Sequence, residues 1–155
     1  MKGQHVVLVE PEIPQNTGNI ARTCAVTGAS LHLVKPLGFS VDEKSLKRAG
    51  LDYWEQLNFF IHEDFESLER ELKGVSFFLM TKKTSKIYTN VNFKGEFALI
   101  FGKETSGLPE WIMERYRESQ LRVPMKTGLR SLNLATAVAV VLYEALRQND
   151  FFDLV

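Results

Sequence analysis

Short runs of apolar residues alternate with stretches of helical periodicity along the whole of this 155-residue chain. The apolar runs are typical of buried strands and lie at residues 6–9, 31–34, 58–61, 75–80, 97–101 and 121–123. Helices are predicted between them at 16–27, 62–73, 109–116 and 131–148, with a further helical turn at 44–49. Strands that are apolar throughout and alternate with helices indicate a mainly parallel sheet with helices on both faces. The sequence therefore predicts one α/β domain over residues 1–155.

The last predicted helix is apolar nearly all round. From Leu134 to Leu142 its only polar residue is Thr136, and a helix without a polar face is buried on all sides. In a domain this small a second subunit is the simplest cover, and a symmetric homodimer is the commonest way to supply one. The alternative is a core helix enclosed by its own chain. We favour the homodimer.

Charge and cysteine content narrow the function classes. Nineteen Lys and Arg residues balance nineteen Asp and Glu residues, so any nucleic-acid binding must come from a local basic patch. Cys24 is the only cysteine, which excludes an intramolecular disulfide and a multi-cysteine zinc site and fits a reducing compartment. The chain lacks a signal-peptide core at its start and an apolar run long enough to span a bilayer. We expect a cytoplasmic protein with no membrane partner and no metal.

The first of three polar loops, residues 10–23, follows the first strand and opens the first helix. Ligands of open α/β sheets bind at the carboxyl ends of strands, and a helix N-terminus offers free N–H groups to a phosphate. Asn16, Asn19 and Arg22 add donors for a ribose or a phosphate. Alternatively, Asn16 or Thr17 only caps the helix, and Arg22 makes a surface ion pair.

The second polar loop, residues 101–109, also leads from a strand into a helix. Its Gly-x-x-x-x-Gly spacing is not a P-loop, because Leu108 and Pro109 stand where Lys and Ser or Thr are required. No Gly-x-Gly-x-x-Gly follows any predicted strand, so a dinucleotide fingerprint is absent as well. What remains is a loop with Gly102 and Gly107 around Glu104, for which a plain tight turn is the alternative.

The third polar loop, residues 122–134, is basic: Arg122, Lys126 and Arg130 face no acidic residue within it. Lys82, Lys83 and Lys86 form a second acid-free cluster. Together these clusters could neutralise several phosphates, although a solvated basic face is the ordinary alternative.

The three histidines are a weaker candidate for chemistry. His5, His32 and His62 lie far apart in sequence, and we expect them to pack rather than to catalyse or to bind metal.

The three loops, in this order, resemble the three motifs of the SPOUT class of RNA methyltransferases. The first motif is matched by Glu10-Pro-Glu-Ile-Pro-Gln-Asn-Thr-Gly-Asn-Ile-Ala-Arg22, and the second by Phe101-Gly-Lys-Glu-Thr-Ser-Gly-Leu-Pro109. The third is matched by Val123-Pro-Met with Arg130-Ser-Leu-Asn-Leu134. The segment Arg48-Ala-Gly-Leu-Asp-Tyr53 also resembles the small members of the class that methylate the 2′-hydroxyl of the tRNA wobble nucleotide, position 34. The similarity covers almost the whole chain.

This resemblance implies a trefoil knot in the C-terminal third, S-adenosylmethionine as cofactor, an obligate homodimer and the tRNA anticodon stem-loop as substrate. Cofactor contacts carried over by position are Leu79, Gly102, Val123 and Ser131, with Thr81, Glu104, Gly107, Met125 and Leu132 lining the pocket. Catalytic positions carried over are Asn16, Arg22 and Tyr143. Residues assigned to RNA binding are Asn19, Lys126, Arg130 and Asn133.

The chemistry that the resemblance implies needs no metal. A sulfonium methyl is already activated, so the enzyme chiefly aligns a 2′-hydroxyl for in-line attack and removes its proton. Arginine stays protonated under ordinary conditions, and we therefore expect Arg22 to hold a phosphate and stabilise the developing alkoxide rather than to act as the base. The proton would then go to water or to a phosphate oxygen.

Three other functions stay open from the sequence. The first is 2′-O-methylation at another tRNA or rRNA position, and the second is a catalytically silent RNA-binding dimer, which the zero net charge supports poorly. The third is a nicotinamide-dependent oxidoreductase, which the missing glycine fingerprint disfavours.

Overall fold

The structure, a computed structural model, describes residues 3–42 and 53–155. Within these ranges, strands and helices alternate as the sequence predicts. The elements are β1 (Gln4–Val9), α1 (Pro14–Thr27), β2 (Ser30–Val34), β3 (Phe59–His62), α2 (Phe65–Glu71), β4 (Ser76–Met80), β5 (Phe97–Phe101), α3 (Glu110–Arg115), β6 (Gln120–Leu121) and α4 (Leu134–Arg147). The helical turn expected at 44–49 lies outside the described residues.

The described strands form one parallel sheet in the order β3-β2-β1-β5-β4-β6. The predicted parallel α/β architecture is confirmed. From β1 the chain runs outward to β2 and β3 and then crosses to β4 on the other half, so the strand order reverses between β1 and β5. In such sheets the crevice outside the carboxyl ends at the reversal point is where ligands bind.

Both faces of the sheet are covered, which explains why its strands are apolar without alternation. On one face Val6 and Leu8 of β1 pack into a core that includes residues of α1 and α4. On the opposite face Val7 and Val9 join a core that includes residues of α2 and α3. A residue of β1 is therefore buried whichever way its side chain points, and the carboxyl end of the strand is held in a fixed position between two cores.

Capping residues shift two predicted helix starts. α2 begins at Phe65 rather than at residue 62, because Asp64 caps it by accepting a hydrogen bond from the Ser67 amide at 2.8 Å. The preceding His62 completes β3. α4 begins at Leu134 rather than at 131, because the side chain of Asn133 accepts from the first free amides of the helix.

Smaller differences occur at three other boundaries. α1 begins two residues earlier than expected, at Pro14, since proline is tolerated in a first helical turn. α3 begins at Glu110, after Pro109, and ends at Arg115. β6 ends at Leu121, and beyond it Arg122 makes only an isolated bridge to Ile87.

The alternative for α4, a core helix enclosed by its own chain, is wrong. Val138, Val141 and Leu142 are fully buried against the sheet, but Val140 and Tyr143 on the outward side are 37% and 45% exposed. The apolar residues therefore cover both the inner face and part of the outer one. None of the described helices is long and apolar enough to cross a bilayer.

Leu99 tests how much stability this two-sided packing provides. It lies in β5, is fully buried and pairs with Val6 of β1 and Phe78 of β4. We expect Leu99→Ala to lower the free energy of unfolding by about 2–5 kcal/mol, because it removes buried methyl groups and leaves a cavity. Urea denaturation followed by circular dichroism measures this change. The control is Leu129→Ala, since Leu129 is 69% exposed. An equal loss in both variants would contradict the packing argument.

Candidate active site

The three polar loops meet at the carboxyl ends of the central strands and enclose a cavity of about 570 Å³. This volume lies in the range typical of small-molecule sites. The residues carried over from the resemblance that line it are Asn16, Thr81, Gly102, Glu104, Gly107, Val123, Met125, Arg130, Ser131, Leu132 and Asn133. Its apolar wall includes Met80, and Ile13 stands at the start of α1. The cavity therefore lies at the strand reversal point, where an α/β sheet takes its ligand.

The β5–α3 loop folds tightly over one side of the cavity. The Gly107 amide donates to the Lys103 carbonyl at 3.0 Å, and Gly107 has a φ of 71°, in the left-handed region. A Cβ at Gly102 would lie 2.1 Å from the carbonyl carbon of Gly107. The loop is thus a tight turn and also a wall of the cavity, and it has no room for a side chain at Gly102.

Glu104 projects from this turn to the start of α1. Its carboxylate accepts from the backbone amides of Glu12 at 2.8 Å and Ile13 at 3.1 Å. It also accepts from Asn16 Nδ2 at 3.3 Å. α1 has Ile13 at its N-cap position and no side-chain cap of its own. Glu104, about ninety residues away in sequence, therefore fixes the two residues that lead into the helix, and its bond to the Ile13 amide is the one that the acidic residue of a capping box makes to the N-cap amide.

This contact corrects two expectations about the first loop. The amides of Glu12 and Ile13, which lead into α1, are not free for a phosphate, because they donate to the Glu104 carboxylate. Neither Asn16 nor Thr17 caps the helix: Asn16 donates to Glu104, and the buried Thr17 hydroxyl has no partner among the residues that the structure describes. The negative charge at this helix end comes from the protein itself.

Asn16 also reaches the third loop. Its Oδ1 accepts from Asn133 Nδ2 at 3.0 Å, and Asn133 Oδ1 in turn accepts from the Ala135 amide at 2.9 Å at the start of α4. Glu104, Asn16 and Asn133 therefore connect one residue from each loop in an unbroken chain of hydrogen bonds. This chain fixes the orientation of the Asn16 amide and leaves one of its two N–H groups for another acceptor.

Two further contacts fasten the first loop to the second. Lys103 Nζ lies 3.2 Å from Glu10 Oε2, and both side chains are about 30% exposed. Thr105 Oγ1 donates to Glu12 Oε1 at 2.9 Å. Neither Lys103 nor Thr105 could be singled out from the sequence, since their partners stand more than ninety positions away and no spacing rule connects them.

The remaining carried-over residues lie away from the cavity lining. Leu79 is fully buried in the core beneath α2 and α3, so its neighbours Met80 and Thr81 form the wall instead. Arg22 and Tyr143 are exposed on the outward sides of α1 and α4, which pack against each other. The Arg22 guanidinium carbon lies 5.4 Å from the centre of the Tyr53 ring, a cation–π contact. Asn19 and Lys126 are exposed as well.

Several residues of the two basic clusters and their neighbours are neutralised in the fold. Arg115 pairs with Glu69 at 2.7 Å, and Lys83 pairs with Glu110 at 3.3 Å. The basic residues of these clusters with no acidic partner among residues 3–42 and 53–155 include Lys82, Lys126 and Arg130. Of these, Lys82 and Arg130 line the cavity, so part of the unpaired positive charge lies there.

Residues 3–143 match the model of the SpoU rRNA Methylase family. The chain belongs to this family. It is 51% identical over 147 residues to the tRNA (cytidine(34)-2′-O)-methyltransferase of Methylovorus glucosotrophus, covering 94% of this chain and 96% of that protein. The resemblance to SPOUT-class RNA methyltransferases, drawn from the three loops, is confirmed.

Solved structures of the family share the fold. One, described as concerning 2-OH methylation of C/U34 on tRNA, has a TM-score of 0.90 and 43% identity, covering 96% of this chain and 97% of that one. Another is an AdoMet-bound rRNA methyltransferase from Sinorhizobium meliloti, with a TM-score of 0.81 and 25% identity. It covers 94% of this chain and 56% of the other.

The Glu104 contact gives a prediction about stability and ligand binding. Glu104→Ala leaves two backbone amides and the Asn16 side chain without their acceptor. We expect the free energy of unfolding to fall by about 1–3 kcal/mol. We also expect binding of S-adenosylmethionine, measured by calorimetry, to weaken. Glu118→Ala is the matched control, because Glu118 is exposed and has no side-chain partner within the described part of the chain. If the two variants unfold at the same urea concentration, Glu104 does not hold the loops together.

Proposed function

We propose that this protein transfers a methyl group from S-adenosylmethionine to the ribose 2′-hydroxyl of nucleotide 34, the wobble nucleotide, of tRNA. The target base is cytidine or a modified uridine. The observation that carries this proposal is a cavity built from all three motif loops, in a chain 51% identical over nearly its full length to a tRNA (cytidine(34)-2′-O)-methyltransferase. A tRNA substrate also fits the cytoplasmic location expected from the sequence. Residues 1–155 form one domain that provides both the cofactor site and the RNA-binding surface.

The cavity residues fit the proposed cofactor. Main-chain groups of the turn at Gly102 and Gly107 approach the cavity without side chains between, which suits contact with a flat adenine ring and its ribose. Val123, Met125 and Leu132 supply an apolar wall, and Thr81 and Ser131 supply hydroxyl groups. When bound, the cofactor provides a methyl group on a sulfonium, which needs no further activation.

The chain's own residues then have to align the ribose and stabilise charge. Asn16 has one N–H left after its bonds to Glu104 and Asn133, and we assign it to the ribose. Arg22 holds a phosphate and stabilises the developing alkoxide while staying protonated. The proton of the 2′-hydroxyl leaves to water or to a phosphate oxygen. The anticodon stem-loop is bound by Lys82, Lys126, Arg130 and Asn19.

We propose a homodimer because the assigned groups are not together in one chain. Arg22 and Tyr143 lie outside the cavity, on a face that also carries Val26, 48% exposed, and Val140, 37% exposed. A second copy covering this face removes the apolar residues from water and puts Arg22 at the subunit boundary. Tyr143 then acts in the interface, where it supports the active site.

We also propose the trefoil knot of the C-terminal third. β6 lies at the sheet edge beside β4, and the chain then returns along the cavity to begin α4 against α1. A chain that turns back in this way, beside the closed β5–α3 turn, is compatible with a knotted path, which is rare in proteins.

A direct experiment tests the function. The purified protein is incubated with labelled S-adenosylmethionine and, in separate reactions, with total tRNA or rRNA from cells that lack it, and methylated riboses are mapped by mass spectrometry. We expect one new methyl group, on the ribose of nucleotide 34. Methylation at another tRNA position, or of rRNA alone, would support the second candidate function, which the family's description and the AdoMet-bound rRNA methyltransferase favour. No label together with no cofactor binding would overturn the proposal.

Arg22→Ala tests the role of the arginine. We expect methyl transfer to fall roughly 100- to 1000-fold, the range for loss of one group that stabilises a transition-state oxyanion. The fold and cofactor binding should stay nearly unchanged, because the exposed Arg22 side chain lies away from the cavity lining. Arg70→Ala, on α2, is the control and should keep full turnover. Full turnover of Arg22→Ala would show that another group carries this role.

Val140→Asp tests the dimer. A carboxylate in the middle of the outward face of α4 would have to be buried unpaired at the interface, so we expect the variant to sediment as a monomer. Methyl transfer should be lost with the dimer, since Arg22 acts at the subunit boundary. Ile61→Asp is the control on another exposed apolar residue, 41% exposed on β3. A wild-type protein that sediments as a monomer while methylating tRNA would contradict the dimer.

A further inference from the structure

Three buried histidines stand in a row across one half of the sheet. His5 of β1, His32 of β2 and His62 of β3 are at most 9% exposed. His5 Nδ1 lies 3.0 Å from His32 Nε2, and His32 Nδ1 lies 3.0 Å from His62 Nε2. These rings, called the histidine row below, lie away from the cavity lining, and the proposed methyl transfer does not use them. They pack as the sequence analysis expects, but against one another.

A carboxylate stands at each end of the histidine row. Glu96, just before β5, has Oε1 3.2 Å from His5 Nε2. Glu71, the last residue of α2, has Oε2 3.8 Å from His62 Nδ1. Both carboxylate side chains are nearly half exposed, at 43% and 49%. The row thus connects two solvent-contacting acids on different elements through imidazole rings that water scarcely reaches.

The number of protons on the three neutral rings determines their tautomers at neutral pH. A neutral imidazole carries one N–H, so three rings supply three protons. With every proton on Nε2, His62 donates to His32, His32 donates to His5, and His5 donates to Glu96. The opposite direction would leave lone pairs facing each other between His5 and Glu96, and its last donor would meet Glu71 at 3.8 Å, too far for a hydrogen bond.

The same count limits how many protons the row can bind. One extra proton fits at Nδ1 of His62, the one ring nitrogen left as a free acceptor, where it faces Glu71. A further proton would put two N–H groups into a single 3.0 Å gap and two positive charges on neighbouring buried rings. The folded row therefore binds at most one proton in addition to the three that it carries at neutral pH. In an unfolded chain each of the three neutral histidines binds one additional proton as the pH falls below about 6.5.

We propose that the histidine row is a proton-operated latch, which fastens edge strand β3 and helix α2 to the sheet at neutral pH and opens on acidification. Among the described strands β3 pairs with β2 alone, and its Phe60 and Ile61 are 40% and 41% exposed. The row adds a side-chain attachment from β3 through β2 to β1. Opening of the row would also affect the first polar loop, because the amide of Glu10 in that loop donates to the carbonyl of Val34 at the end of β2, at 2.9 Å.

The surroundings of the rings set the direction of the pH response. Burial, together with the neighbouring His5 and His62, lowers the pKa of His32 to about 3. Burial also lowers the pKa of His62, although Glu71 acts in the opposite direction. Since these folded-state pKa values are depressed, the stabilisation is complete above about pH 6.5 and is lost as the pH falls below it.

The other charged groups near the row do not change this conclusion. Among residues 3–42 and 53–155, the acids that face it are Glu71 of α2 and Glu96 before β5. Lys35 and Glu63, at the ends of β2 and β3, pair with each other at 2.7 Å. Phe60 stacks on the His32 ring with the ring centres 4.8 Å apart, so that side is apolar.

Nitrogen-15 NMR of the imidazoles in the wild-type protein tests the row directly, since the chain has three histidines. At pH 7.5 we expect three neutral rings, each protonated on Nε2, and His32 should stay neutral down to pH 5 while the protein is folded. Three rings that titrate independently near pH 6.5, or His32 protonated on Nδ1 at pH 7.5, would overturn the proposal.

Urea denaturation as a function of pH tests the latch. Between pH 6 and 5 the wild-type unfolding constant should rise roughly 50-fold or more, because the largely protonated histidines of the unfolded chain hold about two more protons than a row that binds at most one. His32→Phe removes the middle ring and leaves His5 and His62 each beside its own carboxylate, so this pH dependence should largely disappear. The control Phe60→Leu keeps all three rings and should keep the steep response.

Hydrogen exchange locates the opening. At pH 5.5, after correction for the intrinsic rate, the wild-type amides of β3 and α2 should lose protection before those of β5. Equal pH dependence in wild type and His32→Phe, or loss of protection that starts elsewhere, would refute the latch. If His32→Phe does not fold, the exchange pattern and the tautomers of the wild-type protein decide.

Discussion

The carboxylate of Glu104 is the contact on which the cavity depends. α1 has no side-chain cap of its own, and the two amides that lead into it, those of Glu12 and Ile13, donate to the Glu104 carboxylate. Glu104 makes these contacts from a turn about ninety residues away and at the same time orients Asn16. Asn16 then holds Asn133, which caps α4. The proposed ribose contact and the starts of two helices therefore follow from one charged group.

The sheet makes this arrangement possible, and the sheet could be predicted from the sequence. Strands buried on both faces must be continuously apolar, and residues such as Val6 and Val7, which face opposite cores, leave that pattern in the chain. Helix starts were less certain, because a cap such as Asn133 looks like any polar loop residue until its amide partners are known. The three loops could be recognised, but the hydrogen bonds that join them could not, since residue spacing carries no information about contacts across ninety positions.

The position of Arg22 shows a second limit of sequence reasoning. Its motif placed it beside Asn16, yet Asn16 points into the cavity and Arg22 points outward from the next turns of the same helix. A helix presents residues six apart on different sides, so one motif can serve two surfaces. The apolar pattern of α4 has the same origin, because Val138 faces the core while Val140 faces out. A sequence records that a position is apolar, but not whether its own chain or a second one covers it.

The two polar networks of this protein lie on different parts of the same sheet and obey one rule. In a buried chain of hydrogen bonds each pair of facing polar atoms shares a single proton. The chain is therefore stable only when every such pair has its one proton. The Glu104 chain contains amides, which hold their protons at any ordinary pH, and its acceptor is a carboxylate. The histidine row contains imidazoles, whose ordinary pKa lies near 6.5. On the proposed latch, acidification toward pH 5 therefore acts first on the β1–β3 half of the sheet, and backbone bonds such as that between Glu10 and Val34 connect this half to the first loop of the cavity.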